Sequence, residues 1–378
     1  MAEPHTLSEL TRKLIAFDTV NPPGNERPCA EFIGGILRQA GFEVRHFEFD
    51  EMRTSLVADF RFSDDRLPIC FSGHLDTVPL GRADWRKDPF GGRQEGDRIY
   101  GRGASDMKGG LAAMIAAAVC IARSETGAGG LKLVLTAGEE NGCQGAEHLA
   151  GLESALGRAG ALIVGEPTAN YPVIGHKGAF WLEAVTTGVT AHGSMPEQGV
   201  NAIYRAARAI ARLEAFEFPI DPHPVLGAPT LNVGTVSGGI NINSVPDRCV
   251  FTVDLRLVPG QSIDPLHRQL QALLGDTVEL NRLTAAPAIS SDPQNEWVQE
   301  VFSIMEPYLG ERPVPRAVTY FTDASALTAA FGHPPTVILG PGEPDMAHKT
   351  DEYCRLSKIE TAARVYEEIA RRWCRTDP

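Results

Sequence analysis

Seven side chains able to bind metal or move protons stand where this chain changes texture: His74, Asp76, Asp106, Glu139, Glu140, Glu166 and His348. Four apolar runs lead to six of them. Residues 67–71 precede Gly73-His74-Leu75-Asp76, and 131–136 precede Gly138-Glu139-Glu140. Residues 161–164 precede Gly165-Glu166, and 336–339 run through Gly-Pro-Gly toward His348. Asp106 stands ahead of an alanine-rich segment that begins at Gly109. Taken singly, each has a plain reading. His74 and Asp76 could bond a turn's backbone, and Asp106 could cap the helix that follows it. Recurrence at four run ends argues instead for one assembled site.

Five carboxylates and two imidazoles crowded together would repel unless cations were present, since buried like charges otherwise neutralise. Two divalent ions, one carboxylate bridging them, resolve the conflict. Mixed nitrogen and oxygen ligation suits Zn2+, or Co2+ or Mn2+ at the same geometry. Paired ions of this kind polarise a carbonyl and yield hydroxide at neutral pH. Adjacent Glu139 and Glu140 point different ways, so one can bind metal while the other handles the proton of the attacking water.

The elements that must position these groups can be read from periodicity. The four apolar runs read as buried strands of a mostly parallel sheet, whose carboxyl ends are where chemistry collects in open α/β sheets. Leu7, Leu10, Leu14 and Phe17 predict an amphipathic helix, and Phe32, Ile33, Ile36 and Leu37 a second one ending at Gly41. Short strands are expected over 42–49 and 55–60, a buried helix over 109–123, and a last helix with Ser357 and Glu360 at capping-box spacing. From His176 the texture changes. Strand-like 179–187, 230–236 and 250–258 mix with helix-like 199–213 and 264–274. The expected fold is therefore α/β. A discontinuous catalytic domain, 1–176 and 289–378, would have a mixed, mostly parallel sheet flanked by helices. A smaller α+β lid or dimerisation domain, 177–288, would be inserted in it.

Composition narrows the partners. A formal net charge of −13 over 378 residues argues against nucleic acid and anionic membranes. Seven scattered cysteines without a C-x-x-C read as reduced thiols. The first residues show no signal-peptide pattern, and the longest apolar run, 111–122, is short for a bilayer. A cytoplasmic protein is expected.

The motifs GHLDTVP (73–79), GRGASDMKGG (101–110), TAGEENG (136–142), GEPT (165–168) and AHKTDEY (347–353) then carry a resemblance. In content and order they resemble the dinuclear zinc family that includes acetylornithine deacetylase, succinyl-diaminopimelate desuccinylase, aminoacylase and glutamate carboxypeptidase. The resemblance implies that His74 and Glu166 bind one metal, that Glu140 and His348 bind the second, and that Asp106 bridges them. It makes Glu139 the general base and Asp76 the carboxylate that orients His74. It implies a cis bond at Asp106-Met107. It also implies that His192, in Thr190-Ala191-His192-Gly193-Ser194, polarises the scissile carbonyl, from the partner subunit in dimeric members. Arg256 would fork onto the substrate's α-carboxylate, and Asn243 would help bind substrate. Without the family, His192 could be an exposed turn histidine and Arg256 a sheet-surface charge paired with Asp254.

The expected activity is metal-dependent hydrolysis of the amide in an N-acyl amino acid, by a homodimer acting on a small molecule or short peptide. A dipeptidase or carboxypeptidase would share the same metal core. A non-catalytic binding protein would be expected to lack a ligand or the base, and none is missing. Residues 320–325 (YFTDAS) lack the glycine-rich run of strict diaminopimelate desuccinylases. This favours acetylornithine deacetylase or a general N-acyl-amino-acid deacylase.

Overall fold

The computed structural model describes residues 6–63, 65–124 and 126–376. The chain divides into two compact units, one of Met1–Gly175, Ser290–Arg316 and Thr322–Pro378, the other of His176–Ile289 and Ala317–Phe321.

In the first unit a six-stranded sheet has the order Glu43–Asp50, Arg53–Arg61, Gly130–Thr136, Ile69–His74, Ala161–Val164, Thr336–Ile338. The last four strands are mutually parallel, and the first two form an antiparallel edge. The parallel strands are buried along their whole length, so their sequences show no polar alternation. The helix Gly109–Ile121 lies buried and packs on the last helix, Leu356–Cys374. The stretch Ala104–Ile121 is long and apolar enough to span a bilayer, but 83% of it is buried inside the fold, as befits a core helix. Gly110 permits its close seat: a Cβ there would lie 2.5 Å from the carbonyl oxygen of Gly165, in the turn that delivers Glu166.

One local expectation fails. Ser357 and Glu360 form no capping box. The last helix is preceded by Arg355, and Ser357 instead gives its amide and hydroxyl to the Asp97 carboxylate, at 2.8 and 2.7 Å. A long-range acceptor has outcompeted the local one. The true capping box closes the first helix, Leu7–Ile15, where Thr6 and Glu9 each accept the other's backbone N–H.

The second unit has an antiparallel sheet ordered Thr230–Gly238, Arg248–Leu257, Gly178–Thr187, Val278–Ala286. Along Arg248–Leu257 every second side chain is buried, as a half-covered strand requires. Phe251, Val253 and Leu255 join Phe180, Leu213 and Leu270 in a core closed by the helices Ala202–Glu214 and Ile263–Leu274. Thr252, Asp254 and Arg256 stand half-exposed between the buried positions.

Candidate metal centre

Because the four parallel strands are neighbours, their carboxyl ends deliver His74, Glu139, Glu140 and Glu166 to one edge. Asp106 comes from the turn Ala104–Lys108, and His348 from the loop beyond Pro344–Met346. Asp106 does not cap the helix behind it. That helix has Lys108 at its N-cap and no side-chain cap, while Asp106 points its two oxygens at two imidazoles. Oδ1 lies 3.0 Å from Nε2 of His74 and Oδ2 lies 3.4 Å from Nε2 of His348. Glu166 Oε2 is 3.7 Å from His74 Nε2, and Glu140 Oε2 is 3.1 Å from His348 Nε2. Two triads share one aspartate. Donor atoms of His74, Asp106 and Glu140, and of His74, Glu139 and Glu166, each converge within 4.8 Å.

The electrostatics are those of anions short of cations. Burial, reinforced by the Glu166 charge, lifts Glu139 well above the carboxylate range, and burial pushes Glu166 up to about 7 against the pull of His74. Burial and the Asp106 charge raise Glu140. Burial would depress His74, but Glu166 and Asp106 hold it well above its usual value. Hydrogen bonds to Asp106 and Glu140 lift His348 to about 10. Burial opposes ionisation of Asp106 too, yet its bonds to both histidines keep it below the carboxylate range. Glu140 Oε1 is buried with no hydrogen-bond partner among the described residues, an orphan that a cation would satisfy. The donor set fits two divalent ions.

Asp76 sits deeper. Its Oδ1 is 3.7 Å from His74 Nδ1, whose nearer acceptor is the Asp76 main-chain oxygen at 2.9 Å. The carboxylate instead accepts the backbone amides of Glu139 and Glu140 at 3.1 and 3.2 Å, and the Asn21 side-chain amide at 2.8 Å. The carboxylate therefore aims the Glu139–Glu140 turn, and the His74 ring is held by the Asp76 main-chain oxygen rather than by the carboxylate that the resemblance assigns to it. The Asp106–Met107 peptide is cis.

In the second unit His192 and Asn243 lie on adjoining segments, the amide of Gly193 bonding the Asn243 carbonyl at 2.7 Å. Both side chains are exposed, and His192 Nδ1 is 2.7 Å from Ser194 Oγ. Arg256 is elsewhere on that unit, its Nε 3.0 Å from Asp254 and its guanidinium over the rings of Trp181 and Phe321.

Two supporting residues escaped the sequence reading. Glu352 is buried and accepts from Arg102 Nη1 at 2.7 Å and from the amides of Gly103, Ser105 and Asp106 at 2.8–3.1 Å, so it holds the loop that presents Asp106. Its only sequence signal was membership of the AHKTDEY motif. Asp323 is buried beneath the Glu139 turn, against Thr136 and Cys143.

Residues 70–372 match the model for Peptidase family M20/M25/M40. The chain belongs to that family. As such it is a hydrolase, and its relatives are of like length. It is 29% identical to acetylornithine deacetylase from Proteus mirabilis, over 98% of this chain and 97% of that one. It is 28% identical to a probable succinyl-diaminopimelate desuccinylase from Staphylococcus epidermidis, over 95% and 96%. Its fold matches an M20 family metallo-carboxypeptidase from Sulfolobus solfataricus with a TM-score of 0.79, at 18% identity over 97% and 98% of the two chains.

Proposed function

We propose that this chain hydrolyses the amide bond of N-acyl amino acids with two divalent metal ions, most simply Zn2+. The observation that carries the reading is Asp106, with one oxygen toward His74 and the other toward His348. In this reading His74, Glu166 and Asp106 hold one ion, and His348, Glu140 and Asp106 the other. When bound, the ions would polarise the scissile carbonyl and lower the pKa of the attacking water. Glu139, whose carboxylate converges with His74 and Glu166, would take that water's proton and return it to the leaving amine. His192 would donate a hydrogen bond to the developing oxyanion. Its Nδ1 is engaged by Ser194, which leaves Nε2 for that role. Arg256 uses Nε on Asp254, and its two terminal nitrogens would meet the substrate's α-carboxylate, with Asn243 assisting substrate binding.

A homodimer through the second unit is part of the proposal. It is supported by the fully exposed Ile242, the largely exposed Val236, Ile240 and Tyr204, and the strand Thr230–Gly238 at the sheet's edge. All seven cysteines are free, which supports a reducing, cytoplasmic setting.

The test is turnover of N-acetylornithine, N-succinyl-diaminopimelate, N-acetylmethionine and a dipeptide by zinc- or cobalt-loaded protein, beside a Glu139→Ala control. Turnover of an acyl-amino acid that is lost in the control is expected. Cleavage of the dipeptide alone would move the protein to the peptidases, and no turnover by metal-replete protein would overturn the substrate class.

A further inference from the structure

Cys143 occupies a position where a cysteine has no evident reason to be. It is the N-cap residue of the helix Gln144–Gly151, yet its side chain caps nothing, whereas serine, threonine, aspartate or asparagine would cap. Its φ is +60°, in the left-handed region that glycine enters freely and other residues enter at a cost. The thiol is 1% exposed, so it does not serve as a surface group. What it reaches is the carboxylate of Glu139, with Sγ 3.8 Å from Oε1. The same thiol also faces the Asp323 carboxyl.

Asp323 is itself 1% exposed. One of its oxygens accepts from the Thr136 hydroxyl, and the other, Oδ1, has no hydrogen-bond partner among the described residues. Thr136 ends the strand Gly130–Thr136 and sits in register beside His74. Two buried contacts thus lie under this turn, Thr136 to Asp323 and Cys143 to Glu139. Backbone bonds close the same turn, the amides of Gly142 and Cys143 both donating to the Glu139 carbonyl at 2.9 Å. They fix the main chain of Glu139 but leave its carboxylate to rotate. Burial and the adjacent carboxylates keep the thiol protonated, so its single proton is there to donate.

We infer that Cys143 is a positioning residue: its S–H group, directed at Oε1, sets the rotamer of the Glu139 carboxylate. The inference rests on the role proposed above for Glu139. It explains why a strained, non-capping position holds a donor side chain in place of glycine.

The test compares Cys143→Gly, Cys143→Ala and Cys143→Ser. Glycine relieves the left-handed backbone, so that variant is expected to fold with an unchanged Tm and full metal content. It should lose about tenfold or more in kcat with KM little altered, because misplacing a catalytic group by about 1 Å can cost up to about a hundredfold. Cys143→Ala should match it, and Cys143→Ser, which restores a donor, should recover most of the rate. A second readout needs no substrate. The Raman S–H stretching band absent from Cys143→Ala should shift to higher frequency in Glu139→Ala, as its acceptor is removed. Wild-type kcat in Cys143→Gly, or an S–H band indifferent to Glu139, would overturn the inference. If the wild type hydrolyses none of the amides tested, the functional reading fails while the S–H band still decides the contact.

Discussion

The two units hold most of their candidate residues in opposite ways, His348 of the first unit being exposed like the candidates of the second. In the first, His74, Glu139 and Glu166 are almost wholly buried, at 1%, 7% and 5% exposure, and each is aimed by a strand end or by main-chain bonds. In the second, His192 and Asn243 are exposed on loops, and Arg256 is half-buried on a sheet face beside an ordinary ion-pair partner. Burial makes the first region costly as bare protein, with several carboxylates raised and an orphaned Glu140 oxygen, and so makes it selective for cations. Exposure makes the second region cheap to maintain and dependent on a ligand for its value. The chemistry belongs where the groups are preorganised, and recognition where they are available.

Breaking the support of the first region should have the largest effect. Glu352→Ala would strand the buried Arg102 charge and three backbone amides. A loss of about 3–5 kcal/mol of stability is expected, read from denaturant unfolding of metal-free protein. A change within experimental error would mean that the Asp106 loop is held by other contacts.

The second unit should show a smaller and pH-dependent effect at His176. Burial depresses its imidazole from the usual 6.5 to about 4, against a weak pull from the Lys177 carbonyl. A depressed folded-state pKa contributes stability that is present above pH 6.5 and lost as pH falls through 4. The difference in unfolding free energy between wild type and His176→Leu should therefore fall by up to about 3 kcal/mol from pH 7 to pH 4. A difference independent of pH would show that His176 titrates normally.

The smallest expected effect concerns recognition. Arg256→Lys removes the planar fork but keeps the charge, so KM for an active acyl-amino acid should rise about tenfold with kcat little changed. An equal fall in kcat would move Arg256 from recognition toward the chemical step and blur the contrast between the units.

Burial also governs which elements the sequence reveals. Buried parallel strands are continuous apolar runs, so the runs ending at His74, Thr136, Val164 and Ile338 could be read, and the acids beyond them with them. The strand Val278–Ala286 was missed because its exposed side is polar and a register shift between Arg282 and Thr284 interrupts its alternation. Nothing local marks Ala317–Phe321 as belonging to the second unit. Glu352, Asp323 and Cys143 have roles set by partners distant in sequence or by a backbone angle, which spacing does not encode. The Ser357–Glu360 spacing misled for the same reason, since Asp97 lies 260 residues away.

Whether a pair of ions shares Asp106 can be seen by anomalous diffraction from zinc-loaded crystals. Two peaks about 3.5–4 Å apart are expected, one beside His74 and Glu166 and one beside His348 and Glu140, both touching Asp106. A single fully occupied peak under excess zinc, or two peaks with Asp106 bound to only one, would contradict it.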